Sequence, residues 1–234
     1  MTISTLLLTG ANNHDWQRTA PFIKELLEST NRFEVTLATD ASAALEGDIS
    51  NYDLLFVDYN GPIWSEAAQA NFLQAVKNGA GVVIFHAANN AFDGWTEYEK
   101  MVGLLWRKGT GHGQFHEFEV KITNHDHPIT QGVEDFRIED ELYHRLVPTQ
   151  GTHVEVLATA FSSLESGGSG QEEPMLMVTQ YGSGRVFHTA LGHVWPGEFN
   201  GDYRGVLLVA IENEGFHTTL LRGAEWAATG KIES

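Results

Sequence analysis

The chain contains no cysteine in 234 residues. Disulfides, thiolate metal ligands and a cysteine nucleophile are all excluded by that one absence. Positive charge is scarce too: 14 Lys and Arg stand against 31 Asp and Glu, a formal net charge of −17. Such a chain repels polyanions, so neither nucleic acid nor an anionic membrane surface is expected as a partner. Long apolar runs are also missing. The opening stretch through Leu6-Leu7-Leu8 has no basic segment before it and is too short for a signal peptide or a membrane span. These absences point to a cytoplasmic protein with small, neutral or cationic ligands. They leave a homo-oligomer open. The length suits one α/β domain over the whole chain.

What is present alternates. Residues 3–9 form an apolar run that reads as a buried parallel strand. Trp16, Ala20, Ile23, Leu27 and Thr30 follow at helical spacing. Phe33–Ala38, residues 52–59 and Gly81–Phe85 read as further strands. Between the last two, Ser65 is an N-cap, Ala68, Phe72 and Val76 make one apolar helix face, and Gly79 ends the helix. This alternation predicts a parallel sheet covered on both faces. The second half is less regular. Residues 115–122 and 154–159 read as strands, and 166–173 as a flexible loop without structure. Residues 175–181 and 185–191 flank Gly182-Ser183-Gly184, a hairpin signal. Residues 216–229 carry a last helix.

In open α/β sheets ligands bind beyond the carboxyl ends of the strands. The residues just after each predicted strand are therefore the candidates: Asn12, Asn13 and His14 after the first, Asp58 and Asn60 after the third, His86, Asn89 and Asn90 after the fourth, and His193 and Trp195 after the hairpin. Core packing requires none of these polar types. His86 stands out. It follows GVVIF and precedes two alanines, as the central residue of a strand-to-helix elbow does. An imidazole there can serve as base, acid or metal ligand, and a helix N-terminus beside it would favour its neutral form.

Seven stretches resemble, in order, the blocks of the trehalose-utilisation (ThuA-like) family. They are NNHDW at 12–16, FVDYNG at 56–61, GVVIFHAANNAF at 81–92, HEFEVKI with HPIT at 116–130, DELYH at 140–144, GRVFHTALGH at 184–193 and RGAEWAATG at 222–230. The resemblance implies a flavodoxin-like, class I glutamine amidotransferase-like three-layer α/β fold, with a mostly parallel central sheet and a late β-hairpin. It also implies a role in sugar catabolism. His86 falls where the amidotransferase cysteine would sit, so amidotransfer through a thioester is excluded.

Glu141 matches the family's DELY block and is the candidate acid/base carboxylate. In an extended segment it would share a face with Glu139, with Asp140 opposite. His86 and Glu141 would move protons and His193 would assist as partner or electrophile. Asn12, His14, Asn60, Asn89, His116 and Trp195 would bind the sugar, the Trp by stacking on a ring. His112 and His116 have the i, i+4 spacing of a metal pair if helical, but the glycines around them argue for a loop. The same groups could instead hold a divalent metal such as zinc, with His14, His86 and His193 as nitrogen ligands and Glu141 as base. The substrates implied are trehalose-type disaccharides or their 3-keto derivatives, in an isomerase, lyase or hydrolase step. The alternative is a non-catalytic sugar-binding or complex-forming subunit.

Overall fold

The computed structural model describes residues 2–195 and 209–233. In chain order the strands of its main sheet are Ile3–Leu8 (β1), Phe33–Ala38 (β2), Leu54–Val57 (β3), Gly81–Phe85 (β4), His116–Ile122 (β5), Phe136–Asp140 (β6), Glu155–Ser162 (β7), Gln171–Tyr181 (β8) and Gly184–Thr189 (β9). The helices are Trp16–Ser29 (α1), Ala41–Glu46 (α2), Glu66–Lys77 (α3), Thr96–Val102 (α4) and Glu214–Thr229 (α5). None of the described helices is long and apolar enough to cross a membrane.

The strand order is β2-β1-β3-β4-β9-β8-β7-β5-β6. The first five strands are parallel, in the flavodoxin-like order. The hairpin of β8 and β9, with Tyr181 opposite Gly184, then reverses direction and starts an antiparallel half. Side chains alternate across the sheet. Leu7, Phe56, Val83 and Phe187 pack with α1 and α5 on one face, while Leu6, Leu8, Leu55, Val57 and Ile84 pack with α2, α3 and α4 on the other. Three layers follow from that period of two.

Local chemistry explains the elements. Ser65 accepts a hydrogen bond from the Ala68 N–H at the start of α3, and Ala68, Phe72 and Val76 are its buried face. Asn213 caps α5 in the same way, and Gly230 closes it in the left-handed conformation. The reading of 166–173 as structureless needs correction. Residues 171–173 belong to β8 and pair with β7, Glu172 opposite Phe161 and Glu173 opposite Ala160. Their backbone groups gain ladder partners while the side chains of Gln171 and Glu172 stay in water, a pattern that looks polar throughout. Strand β6 and helices α2 and α4 are additions to the sequence reading. β6 is an edge strand with only Ile138 and Asp140 buried, so its apolar signal is weak.

Four reversals separate β9 from β6, so the two run in the same direction and end at the same edge of the sheet. The antiparallel half also curls over α5: Phe136 lies against Gly215, and the Asn213 amide donates to the Arg137 carbonyl at 2.8 Å. This curvature brings the end of β6 back over the ends of β4 and β9.

Candidate active site

Strand β4 ends at Phe85, and the backbone turns at His86 with φ +44° into a short 3-10 turn, His86–Asn90. A positive φ is uncommon for a residue with a β-carbon and costs on the order of 1 kcal/mol, so neighbours must hold it. They do. The His86 Nδ1–H donates to the Ala190 carbonyl at 2.7 Å, and the Tyr143 ring stacks on the imidazole with centroids 4.3 Å apart. Because a carbonyl can only accept, the proton of the neutral ring sits on Nδ1 and the lone pair on Nε2.

His14 is fixed by a similar argument, one step longer. Asp58, buried after β3, accepts from the Thr19 hydroxyl (2.7 Å) and from the Asn12 amide nitrogen (3.0 Å). That orients Asn12 with its oxygen towards His14, where it accepts from the backbone N–H at 3.1 Å. The His14 Nδ1 faces the side-chain oxygens of Asn12 and Asn13 at 3.3 and 3.1 Å, so it too carries the proton and leaves Nε2 bare.

His193 follows Gly192, whose φ is +111° and whose α-carbon lies against the Phe85 ring, leaving no room for a β-carbon. The Asp140 carboxylate anchors this turn. It accepts from the N–H groups of Gly192 (2.7 Å), His193 (3.2 Å) and Glu141 (2.7 Å). The His193 Nδ1 then lies 3.0 Å from the Nε2 of both His14 and His86, and 3.3 Å from Glu141 Oε2. Glu141 Oε1 accepts from the Trp195 indole N–H at 3.0 Å. The Tyr143 hydroxyl donates to His86 Nε2 at 2.7 Å.

Burial sets the protonation. It lowers His14 to about 4, helped by His112, and holds His86 and His193 well below the usual imidazole range, with their neighbouring imidazoles adding to the effect. All three are neutral at neutral pH. For His86 the expected direction holds, but burial is the leading cause and only a five-residue 3-10 turn follows. Burial also raises Glu141, opposed by His112 and Trp195, and raises Asp140 to about 8 against its three N–H donors. Tyr143 is raised well above its ordinary value and stays a donor.

His14, Glu141, Tyr143, His193 and Trp195 line a cavity of about 120 Å³, with Asn13, Asn60, Ala87, Asn90, Trp106 and His112 completing the wall. His86 and Asp140 are buried behind that lining. A larger cavity, about 760 Å³, lies by the β8–β9 turn and Trp226, at the opposite ends of the strands from His86. It contains none of the converging imidazoles. Of the residues that the sequence singles out, His14, Asn60, Glu141, His193 and Trp195 line the smaller cavity, and His86 is buried behind it against His193. Three are placed elsewhere. Asn12 stands behind His14. Asn89 is buried with its amide against His188 Nε2 at 3.2 Å. His116 begins β5 and its Nδ1 bonds the Gln114 carbonyl, outside the cavity.

The pairing of Glu139 with Glu141 on one face is also corrected. The strand ends at Asp140, Glu139 is exposed, and both Asp140 and Glu141 are buried. The turn after Asp140 breaks the alternation, because its carboxylate takes the next residue's own N–H. His112 is not a metal partner of His116 on a helix. It sits in a two-residue ladder with Tyr143–His144, its Nδ1 3.3 Å from Glu141 Oε2. Tyr143, Trp106 and Asp140 are functional candidates that sequence reasoning misses. For two of them the signal was the DELYH block itself.

Known proteins share this fold. Residues 5–227 match the ThuA family, described as trehalose utilisation. A ThuA-like protein from Parabacteroides merdae has 36% identity and a TM-score of 0.88, over 100% of this chain and 92% of that one. A second, from Bacteroides uniformis, has 20% identity and a TM-score of 0.70, over 97% and 91%. A Salmonella typhimurium protein described as cytoplasmic shares the fold at 10% identity and a TM-score of 0.57, over 97% and 99%. No curated protein matches the chain.

Proposed function

The chain belongs to the ThuA (trehalose utilisation) family, and on that premise we propose that it is a sugar-catabolic enzyme acting on trehalose-type disaccharides or their 3-keto derivatives. The observation that carries this reading is a cavity lined by His14, His193 and Glu141 and walled by Trp106, Tyr143 and Trp195, with His86 buried directly behind it, its Nε2 against His193 Nδ1 and the Tyr143 hydroxyl. A binding module for neutral sugars needs hydroxyl partners and an aromatic wall. It has no need of a buried carboxyl beside three imidazoles.

The geometry supports general acid–base chemistry. His86 Nε2 acts as base through the Tyr143 hydroxyl, which lines the cavity: Tyr143 passes its proton to His86 as its oxygen takes one from a substrate hydroxyl or from the carbon beside a keto group. Glu141, raised by burial, holds a proton further towards neutrality than an ordinary glutamate and can return it to a leaving or developing oxygen. The asparagine amides that line the cavity are donors for a developing oxyanion. Ligand cavities typically run to about 300–1,000 Å³, so this one takes the reacting edge of one ring and leaves the rest of a disaccharide outside. The composition's expectations come with the reading: a cytoplasmic place, and a neutral sugar rather than a polyanion as partner.

Incubation with trehalose and with its 3-keto form, followed by product analysis, tests the proposal. A new product that the His86→Ala protein does not form supports it. Saturable binding of these sugars without any product favours the non-catalytic alternative.

A further inference from the structure

One base needs one lone pair, yet three imidazole nitrogens cluster at the inner wall of the cavity. His14 Nε2 and His86 Nε2 each lie 3.0 Å from His193 Nδ1, and all three lie within 4.8 Å of one another. We infer that His14, His86 and His193 form the ligand set of a single divalent transition metal ion of the zinc class, with the Glu141 carboxylate beside it.

Hydrogen bonding on the far side of the rings supports this. His86 spends its Nδ1–H on the Ala190 carbonyl, and His14 directs its Nδ1 at two amide oxygens. Both rings are therefore locked with a lone pair facing inwards, the arrangement in which a ligating histidine is held by an outer partner. Asp58 reinforces it through Asn12. Without a cation, the Tyr143 hydroxyl serves His86 Nε2 and a proton on His193 Nδ1 can serve His14 Nε2, but Glu141 Oε2 is buried with no hydrogen-bond partner among the described residues. A cation at the three nitrogens gives that carboxylate oxygen a positive partner.

The spacing also fits. Zinc binds imidazole nitrogen at about 2.0–2.1 Å, and a tetrahedron of that radius has edges of about 3.3 Å. The two nitrogen pairs at 3.0 Å and the 3.3 Å separation of His193 Nδ1 from Glu141 Oε2 are close to that edge. The third pair, His14 Nε2 and His86 Nε2, lies within 4.8 Å and must close to that edge when the ion binds. With no cysteine in the chain, nitrogen and oxygen are the strong donors on offer. Three histidines select a borderline ion of the zinc type over magnesium or calcium.

The inference rests on reading this cavity as the active site, and it reassigns three of the residues. His14, His86 and His193 become ligands, and Glu141 remains as the carrier of the proton. Bound metal would polarise a substrate carbonyl or acidify a water.

The test uses the full chain, stripped with a chelator and titrated with Co²⁺ and then Zn²⁺ alone. One equivalent of Co²⁺ with the strong visible absorption of a four-coordinate ion, displaced by Zn²⁺, is expected. X-ray absorption of the zinc-loaded protein should show a shell dominated by imidazole nitrogen. His193→Gln should abolish the cobalt band, Asn12→Ala should weaken binding by about 10–100-fold, and His116→Gln should change neither. No uptake by the wild-type chain overturns the inference, as does a zinc shell without imidazole or undiminished uptake in folded His193→Gln. If that variant fails to fold, the wild-type titration and absorption spectrum decide. Metal uptake with no product from any sugar leaves the site standing and removes the enzymatic reading. Sugar turnover by protein that takes up no metal does the reverse.

Discussion

The imidazoles of His14 and His193 meet edge to face, centroids 4.4 Å apart at 82°, across 179 residues of sequence. One comes from the loop after β1 and the other from the loop after β9, strands that β3 and β4 separate in the sheet. They meet because both loops rise above the same edge of a parallel sheet and lean over the end of β4, where His86 sits. The contact depends on each loop being held from behind, by Asn12 and Asp58 for His14 and by Asp140 for His193.

His86 is where both loops converge, so its removal is the direct functional prediction. Replacing a positioned base or ligand by alanine should lower kcat/KM on the accepted sugar by about 10²–10⁴-fold. The fold should survive, because β4 is buried independently of the ring and the positive φ costs alanine only on the order of 1 kcal/mol. Product formation gives the first quantity and far-ultraviolet circular dichroism with a melting curve gives the second. Unchanged turnover would remove His86 from the reaction.

Asp140 predicts a loss of a different kind. It touches no part of the cavity, yet three backbone N–H groups from two segments end on its two oxygens. Raised to about 8, Asp140 is largely protonated at neutral pH, but its hydroxyl oxygen can still accept an N–H; Asp140→Asn keeps the shape and puts in its place an amide NH2 that cannot. Leaving buried donors unmatched costs about 1–3 kcal/mol, so urea unfolding should show a loss of about 2 kcal/mol. Turnover should fall with it, since His193 and Glu141 lose their common anchor. Glu139→Gln, on the exposed neighbour, should stay within about 0.5 kcal/mol of the parent.

Gly192 makes a third case. Its φ of +111° lies where residues with a β-carbon rarely go, and a β-carbon would sit 2.6 Å from the Phe85 ring. Gly192→Ala combines backbone strain with overpacking, each about 1–3 kcal/mol. The loop can relieve both only by lifting away from β4, which carries His193 with it. Loss of activity beyond that of the Asp140→Asn protein, at equal loss of stability, is the expected result.

Much of this was legible in the sequence, for physical reasons that differ along the chain. β1, β3 and β4 are buried on both faces, so they read as apolar runs, and the polar residues directly after them could be recognised as a rim. His14, Asn60 and His86 followed from that alone. The antiparallel half is one-sided and curled, so its apolar signal is diluted. FRIED reads as a charged loop although Ile138 and Asp140 are buried. Tyr143 and Trp106 were hidden for the same reason: nothing local says that the segment after β6 folds back over β4 or that Trp106, just after α4, meets Tyr143 there. Asn89 was misplaced because a short 3-10 turn rotates successive side chains to opposite sides, leaving Asn90 at the cavity and Asn89 against His188. His116 begins β5 beside Asp140, in register with it, yet its ring turns away from the cavity.

His188 gives the pH prediction, and it lies outside the cavity. Buried in β9 with its Nε2 accepting from the Asn89 amide, it is lowered to about 3 by burial, with the Val102 backbone opposing. A histidine whose folded value lies below its unfolded 6.5 binds its proton less readily when folded. Between about pH 3 and 6.5 the unfolded chain therefore carries the extra proton, and stability rises with pH across that window. At 1.36 kcal/mol per unit, acidification from pH 6.5 to 4 should remove about 3 kcal/mol through this one group. Asp58, raised to about 6, works the other way between about pH 4 and 6, since the folded chain holds its proton longer. The absolute curve thus mixes signs, and the difference between parent and His188→Gln isolates the histidine. Glutamine keeps an acceptor for Asn89 but cannot titrate. Urea unfolding of both proteins at pH 7, 6, 5 and 4 should show the parent losing its advantage as the pH falls. Two curves that stay parallel would mean that the ring is hydrated or moves when protonated, and that the β9 core is looser than its packing implies.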